Sequence, residues 1–446
     1  MIPLHVVTRE QWKSWLAAQP TPAALWLKGL WGDKPPIGQS TAVAGADGRV
    51  AFAVTVAGEK PSLWTLGDAA QQLPALDYKL EKGSWKKADL LKLKRGWDLG
   101  SYRFTRYKKP VRELATLSVP GLAKGDAVAE AVFLARDLIN TPPADMMPRH
   151  LAEIARKIAR PHKASVSMIK GDALLEKGYN AIHTVGRASA EAPHLIDLRW
   201  GNAKHPKVTI VGKGVCFDTG GLDIKPSSGM KLMKKDMGGA AMALGLAHLV
   251  MSDKLPVRLR VLVPAVENAI SGNAYRTSDV IHTRKGITVE VGNTDAEGRL
   301  ILCDALAEAD SEKPEVIIDI ATLTGAARVA LGTEMPALFC SDDALAQEIC
   351  RVSREVEDPM WPMPLWQEYR PRLASTVADL HSTGDDGTGG AILAALFLQS
   401  FVEHAKIWMH VDTMAWNQSG RPGRPKGGEA MGMRAIYAWL GQRFGR

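Results

Sequence analysis

From Leu151 onward the chain alternates short apolar runs with longer stretches of helical periodicity. The runs Val208–Val211, Val257–Val263, Val316–Ile320, Ala337–Cys340 and Ile407–Val411 predict strands. Residues 239–251, 299–310, 343–356, 390–404 and 430–443 predict the helices between and after them. Such alternation predicts an α/β domain whose mixed, largely parallel sheet is flanked by helices. The first part of the chain reads differently. Strand-like runs fall at 24–27 (Ala-Leu-Trp-Leu), 50–57 and 62–66 (Ser-Leu-Trp-Thr-Leu), with a helical candidate from Ser84 to Leu93. The expected organisation is a smaller N-terminal α/β domain over residues 1–120, a connecting helix and linker over 121–142, and a larger domain over 143–446. The linker helix runs from Ala127 to Leu138 and is broken by Asn140-Thr-Pro-Pro.

Composition adds that the chain is an ordinary globular one. Its 446 residues suffice for two cores, and 46% apolar with 23% charged residues is typical of folded domains. No stretch of about twenty apolar residues is present, so no membrane span is expected. The N-terminal decapeptide has no basic start followed by an apolar run, which predicts no signal peptide. Four cysteines (Cys216, Cys303, Cys340, Cys350) form no C-x-x-C pair, and reduced, buried thiols fit a cytoplasmic protein. Seven of the thirteen tryptophans lie before residue 100, where they read as core and interface anchors. The net charge of +8 is a solvated basic face or an attraction to an acidic partner such as nucleic acid. Gly420-Arg-Pro-Gly-Arg-Pro-Lys-Gly-Gly428 sharpens the second reading, because it looks like the core of minor-groove AT-hook peptides. A mobile Pro/Gly surface loop is the preferred reading, with DNA binding the minor alternative.

Candidate chemistry concentrates in two segments. In Asn293-Thr-Asp-Ala-Glu-Gly-Arg-Leu300, Asp295, Glu297 and Arg299 stand at alternate positions after the strand-like Val289-Glu-Val291. If that stretch is extended, all three side chains point to one side. Two carboxylates so close repel unless a cation lies between them; a solvated charged turn is the competing reading. The second segment runs from Val211-Gly-Lys-Gly214 through Phe217-Asp-Thr-Gly-Gly-Leu-Asp-Ile-Lys-Pro226 to Asp236-Met-Gly-Gly-Ala240. It places Asp218 and Asp236 at a strand end and a helix start, with Lys213 and Lys225 among them. Four carboxylates with oxygen ligands suit divalent cations, and more than two of them suggest a pair of ions.

Both segments closely resemble the leucyl aminopeptidase family, whose octapeptide signature stands here unchanged. Further similarity lies in Asp319-Ile-Ala-Thr-Leu-Thr-Gly-Ala326 and Gly389–Leu398, and the resemblance covers roughly residues 135 to 446. It implies hydrolysis of the N-terminal residue from peptides by water activated between two divalent ions, Zn²⁺ or Mn²⁺, roughly 3.5–4 Å apart. Asp218 and Glu297 would bridge them, Asp295 would complete one, and Lys213 with Asp236 the other. A lysine ligand must be neutral, so a charged counter-ion is the alternative that physics prefers for Lys213. Lys225 would remain charged and stabilise the oxyanion. Arg299 would hold a bicarbonate that shuttles a proton, or else merely neutralise Asp295 and Glu297. Met233, Thr322, Gly325, Ala430 and Met433 would form an apolar, tolerant pocket for Leu, Met and similar side chains. The chain departs from relatives at Asp223, where Ser is common, and at Ala430-Met-Gly-Met-Arg434; the extra charge at Asp223 could alter the pocket or metal loading. The resemblance also implies a homohexamer acting on peptides in the cytoplasm.

Competing signatures are missing. Eleven histidines form no H-E-x-x-H, no G-x-S-x-G or P-loop occurs, and Phe217 replaces the third glycine of a dinucleotide fingerprint after Gly212-Lys-Gly214. Another two-metal hydrolase, or a DNA-binding protein on a peptidase scaffold, remains the alternative reading.

Overall fold

The computed structural model describes residues 1–83, 85–123, 125–384 and 387–445. The chain divides into two compact units, one formed by Met1–Phe133 with Gln418–Lys426, the other by Leu134–Asn417 with Gly427–Arg446.

The first unit holds a five-stranded sheet in the order Ser40–Ala44, Val50–Ala57, Ile2–Thr8, Asp77–Leu80, Thr116–Ser118. All neighbours are parallel except the first pair. Two predicted strands are not strands. Residues 24–27 lie inside the helix Thr21–Trp31, whose second residue is Pro22, a good first-turn residue. Residues 62–66 form successive turns, with the Ser62 N–H donating to Thr65 Oγ1 at 2.9 Å. The helix expected from Ser84 spans Lys87–Gly100; Ser84 itself lies outside the described residues. Trp12 and Trp97 are core residues as expected, whereas Trp26 is 46% exposed. The Gly/Arg/Pro segment belongs to this unit as far as Lys426. It turns at Arg421–Arg424, and the Arg424 guanidinium sits 4.1 Å from the Trp64 ring centre.

In the second unit a nine-stranded sheet has Val316–Ala321, Lys207–Gly212 and Arg258–Asn268 at its centre, parallel to one another. Ile407–Asp412 extends it in parallel on one side. Antiparallel strands then follow on both sides: Ala337–Cys340 beyond Ile407–Asp412, and His194–Trp200 with Ser165–Lys170 beyond Arg258–Asn268. The sheet is therefore mixed and largely parallel at its heart. The expected helices appear as Gly238–Ser252, Glu297–Ser311, Asp343–Glu355, Gly390–Gln399 and Met433–Phe444. The central strands are buried along nearly their whole length, which is why their sequences are continuous apolar runs.

One irregularity places chemistry at the C-terminal ends of these strands. The chain leaves Lys207–Gly212, passes Lys213, and resumes as Gly214–Asp218; both pieces pair with Arg258–Asn268. Lys213 is thus pinned at the break. Its N–H donates to Ile320 O at 3.0 Å and its carbonyl accepts from Ala240 N–H at 2.9 Å.

Candidate active site

Four pieces of chain converge here. Asp218 ends its strand; Lys225 follows in a loop whose N–H returns to Thr219 O. Asp236 lies in the 3-10 turn Met233–Met237 that starts helix Gly238–Ser252. Asp295 lies in the 3-10 turn Thr294–Ala296, and Glu297 is the first residue of helix Glu297–Ser311. The octapeptide is therefore wound rather than extended, which corrects the alternate-position reading. Asn293 Oδ1 accepts the Asp295 N–H at 2.7 Å and holds the turn. Convergence comes from the helix start, not from strand periodicity.

Lys213 Nζ lies 2.7 Å from Asp236 Oδ2 and 2.8 Å from Glu297 Oε1, and donates to Thr322 O at 3.0 Å. Such an approach requires Gly298: a Cβ there would come within 2.5 Å of Lys213 Cε. Lys225 Nζ pairs with Asp218 Oδ2 at 2.8 Å and with Asp295 Oδ1. A cavity of about 360 Å³ is lined by all four carboxylates, both lysines and Arg299. Met233, Thr322 and Gly325 line it too. Ala430 and Met433 do not; they are buried at the start of the last helix.

The electrostatics are strained. Burial, then Asp218, drives the Glu297 carboxyl well above its usual range, although Lys213 opposes this. Burial and Asp218 likewise raise Asp295 to about 6. Asp236 goes the other way: against burial, Lys213 and Lys235 hold it low. Burial lowers Lys213, but Asp236, Glu297 and Asp218 more than offset that and raise it. Lys225 behaves alike, with Asp218 prevailing over burial. One lysine cannot serve two buried carboxylates fully, so without a further cation Glu297 is driven toward its protonated form.

The donor set fits divalent cations. Oxygens of Asp218, Asp236 and Glu297 lie within 4.8 Å of one another, all three buried. Glu297 Oε1 and Asp236 Oδ2 are buried, and among the described residues the cation paired with each is the Lys213 ammonium. Hard, clustered, incompletely satisfied oxygens are what Mn²⁺, Zn²⁺ or Mg²⁺ ligation uses.

Arg299 is buried beside this cluster. It donates to Ser382 O at 2.6 Å, while its Nε has no partner among the described residues. Burial lowers its pKa to about 10, so it stays charged at neutral pH. Asp223, expected to perturb the pocket, does something else. Its Oδ2 accepts the Thr294 N–H at 2.8 Å, and its N–H donates to Thr294 Oγ1 at 2.8 Å. It ties the two signature segments together.

Several contributors escaped sequence reading. Asn268 donates to Asp218 Oδ1 at 2.8 Å and to Thr294 O at 3.1 Å. Lys235 is 2% exposed, 3.7 Å from Asp236, and lowered to about 8 by burial. Asp412 accepts from the N–H groups of Leu323 and Thr324 and from Thr324 Oγ1, the last at 2.6 Å. It thereby fixes the loop whose preceding residue, Thr322, touches both Lys213 and Asp236 Oδ1. Only Lys235, adjacent to Asp236, had a local signal; the others join through contacts far apart in sequence.

Comparisons with known proteins agree with this geometry. The profile of the cytosol aminopeptidase family catalytic domain matches residues 133–437, and that of the M17 aminopeptidase N-terminal domain matches residues 2–120. A probable cytosol aminopeptidase of Xylella fastidiosa (strain M12) is 45% identical over 349 residues, 74% of this chain and 70% of the relative. The cytosol aminopeptidase of Coxiella burnetii has a solved structure with TM-score 0.95 and 44% identity, covering 100% of this chain and 97% of that one. The bottromycin maturation enzyme BotP in complex with Mn gives TM-score 0.87 at 33% identity, covering 98% of each chain. Among the described residues no helix is long and apolar enough to cross a membrane. With a catalytic-domain match over most of its length and relatives of this identity, the chain belongs to the cytosol aminopeptidase family and is a metal-dependent exopeptidase of the leucyl aminopeptidase type.

Proposed function

We propose that this aminopeptidase removes Leu, Met and similar residues, with broad tolerance, from the N-terminus of peptides, using two divalent ions per subunit. Lys213, Asp218, Asp236, Asp295 and Glu297 would hold the ions, Zn²⁺ or Mn²⁺. The gathering of all five in one cavity with Lys225 and Arg299 is the observation that carries this reading. Bound ions supply Lewis acidity and a water that ionises near neutral pH. Lys213 is charged while it balances Asp236 and Glu297; as a ligand it has to give up its proton.

Lys225 keeps its proton, because Asp218 holds its pKa above the usual lysine value. A fixed ammonium at the cavity wall stabilises negative charge that develops on the scissile carbonyl oxygen. Arg299 offers a buried guanidinium with an unpartnered Nε, which suits a planar anion such as bicarbonate acting as proton shuttle. Met233 gives the pocket a flexible apolar wall, with Thr322 and Gly325 beside it. Ala430 and Met433 do not line this cavity and are left out of the pocket. A homohexamer working in the cytoplasm fits the family, and the names of its relatives support that location. No observation favours nucleic acid at Gly420–Gly428, since Arg424 already stacks on Trp64.

The test is hydrolysis of leucyl-anilide against N-acetyl-leucyl-anilide and a phosphoester, with and without added Mn²⁺ or Zn²⁺. Metal-dependent cleavage of the free-amine substrate alone is expected. Equal cleavage of the acetylated substrate, or preference for the phosphoester, would overturn the reading.

A further inference from the structure

The strands that deliver Lys213 and Asp218 to the catalytic cavity have a second concavity at their opposite, N-terminal ends. It measures about 250 Å³ and is lined by Lys163, Arg199, Lys207, Arg258 and Arg260, with Glu312 as its sole carboxylate. The sheet register explains why cations collect there. Ser165, Arg199, Arg260 and Thr209 are successive cross-strand neighbours, and Arg258 stands directly opposite Lys207. Like charges directly opposed on a sheet destabilise it unless something neutralises them.

The first cationic pair is neutralised by the protein. Asp197 Oδ2 lies 3.0 Å from Arg199 and 2.8 Å from Arg260. Glu312 Oε1 lies 2.7 Å and 3.2 Å from the same two side chains, and Glu308 adds a contact to Arg260 at 2.8 Å. The second pair has no salt bridge of its own: Glu312, whose pKa Arg258 helps to lower, is already bonded to Arg199 and Arg260. Among the described residues no carboxylate oxygen lies within 4.0 Å of Lys207, Arg258 or Lys163. Lys207 Nζ donates only to the backbone carbonyl of Glu312, at 2.6 Å. Lys207 and Arg258 are half-buried, so solvent screens them incompletely. Thr209, 1% exposed, also lines the concavity and offers a hydroxyl.

We propose that this concavity binds a compact, multiply charged oxyanion, inorganic phosphate or a phosphomonoester. Three cations without a salt bridge among the described residues stand around a small hollow, enough to neutralise a phosphate dianion. The Arg258 fork and the Lys207 ammonium are the donor types that phosphate oxygens accept from. Binding there would remove the Arg258–Lys207 repulsion, so the anion should stabilise the unit as well as occupy it. The site is separate from peptide hydrolysis, since it lies at the other end of the strands.

Titration calorimetry on the metal-loaded enzyme at constant ionic strength tests this, with inorganic phosphate and AMP as probes. Wild type should bind at millimolar or lower concentration, and its melting temperature should rise with the probe. The double variant Lys207→Gln/Arg258→Gln should bind at least about tenfold more weakly, a difference of about 1.4 kcal/mol. It should hydrolyse leucyl-anilide like wild type, which also shows that it is folded. Lys163→Gln, on an exposed turn, serves if the double variant is unstable, and should weaken binding several-fold. Tighter binding of AMP than of phosphate would identify the ligand as an ester, equal binding as phosphate itself. No binding by wild type, or binding unchanged in the folded variants because it occurs at the catalytic metals, would overturn the proposal.

Discussion

Two charge clusters, one partly and one almost wholly buried, lie at opposite ends of the same central strands, and they are solved in opposite ways. At the N-terminal ends, Arg199, Arg260 and Arg284 bond directly to Asp197, Glu308 and Glu312. Burial raises Glu308 and Glu312, but the arginines overcome it and hold both below their usual range. At the C-terminal ends, burial raises Glu297 and Asp295, and two lysines shared among four carboxylates do not overcome it. Both clusters set basic side chains against carboxylates, arginines at one end and lysines at the other. Complete pairing makes one a structural clamp; incomplete pairing leaves the other in need of further positive charge, which is why we propose that the metal ions bind there.

The comparison breaks most sharply at Glu297. Glu297→Ala should reduce turnover to background and lower bound metal, read by elemental analysis beside the assay. Lys225→Ala should keep its metal and lose on the order of 10²-fold or more in kcat, as for loss of an oxyanion donor. Metal loss with normal turnover per loaded site would reverse the two roles. At the paired end, Arg260→Ala should act on stability instead. Breaking a buried pair costs about 3–5 kcal/mol, read by denaturant titration, while kcat of the folded fraction stays near wild type.

Protonation sharpens the contrast. Asp295 is raised to about 6 in the folded, metal-free chain, above its unfolded value, and Glu297 is raised further. The folded state therefore binds more protons than the unfolded one as pH rises through that window, and metal-free stability falls. Divalent cations reverse this by favouring the ionised carboxylates. The gap in melting temperature between metal-loaded and metal-free protein should widen from pH 4.5 to pH 7, and Glu297→Gln should narrow it. The smallest effect concerns Arg299. If it holds a proton-shuttling anion, Arg299→Ala should lower kcat more than it raises KM, and bicarbonate should stimulate degassed wild type more than the variant. An equal response would leave Arg299 as a counter-ion.

The catalytic unit was legible because its central strands are buried on both faces and its helices are long, so apolar runs and periodicity gave both away. The metal-facing residues were legible through local motifs with fixed internal spacing. What failed depends on context. Residues 24–27 are apolar enough for a strand, but Pro22 starts a helix through them. Asp295 and Glu297 share a cavity through a turn into a helix, which alternation cannot foresee. Asp412 and Asn268 reach the site across separations of 88 and 50 residues, and no local pattern marks such pairing. Asp223 stands out in the sequence only by its extra charge, and its hydrogen bonds to Thr294, which brace the two signature segments, join residues 71 apart.

The most direct test of incomplete pairing as the seat of catalysis is a titration of metal-free enzyme with Mn²⁺ or Zn²⁺, with bound metal and leucyl-anilide turnover measured on the same samples. Activity should be lost on chelation and should return in step with metal, reaching its plateau at two ions per chain. Full turnover in a sample shown by elemental analysis to be metal-free would contradict the account.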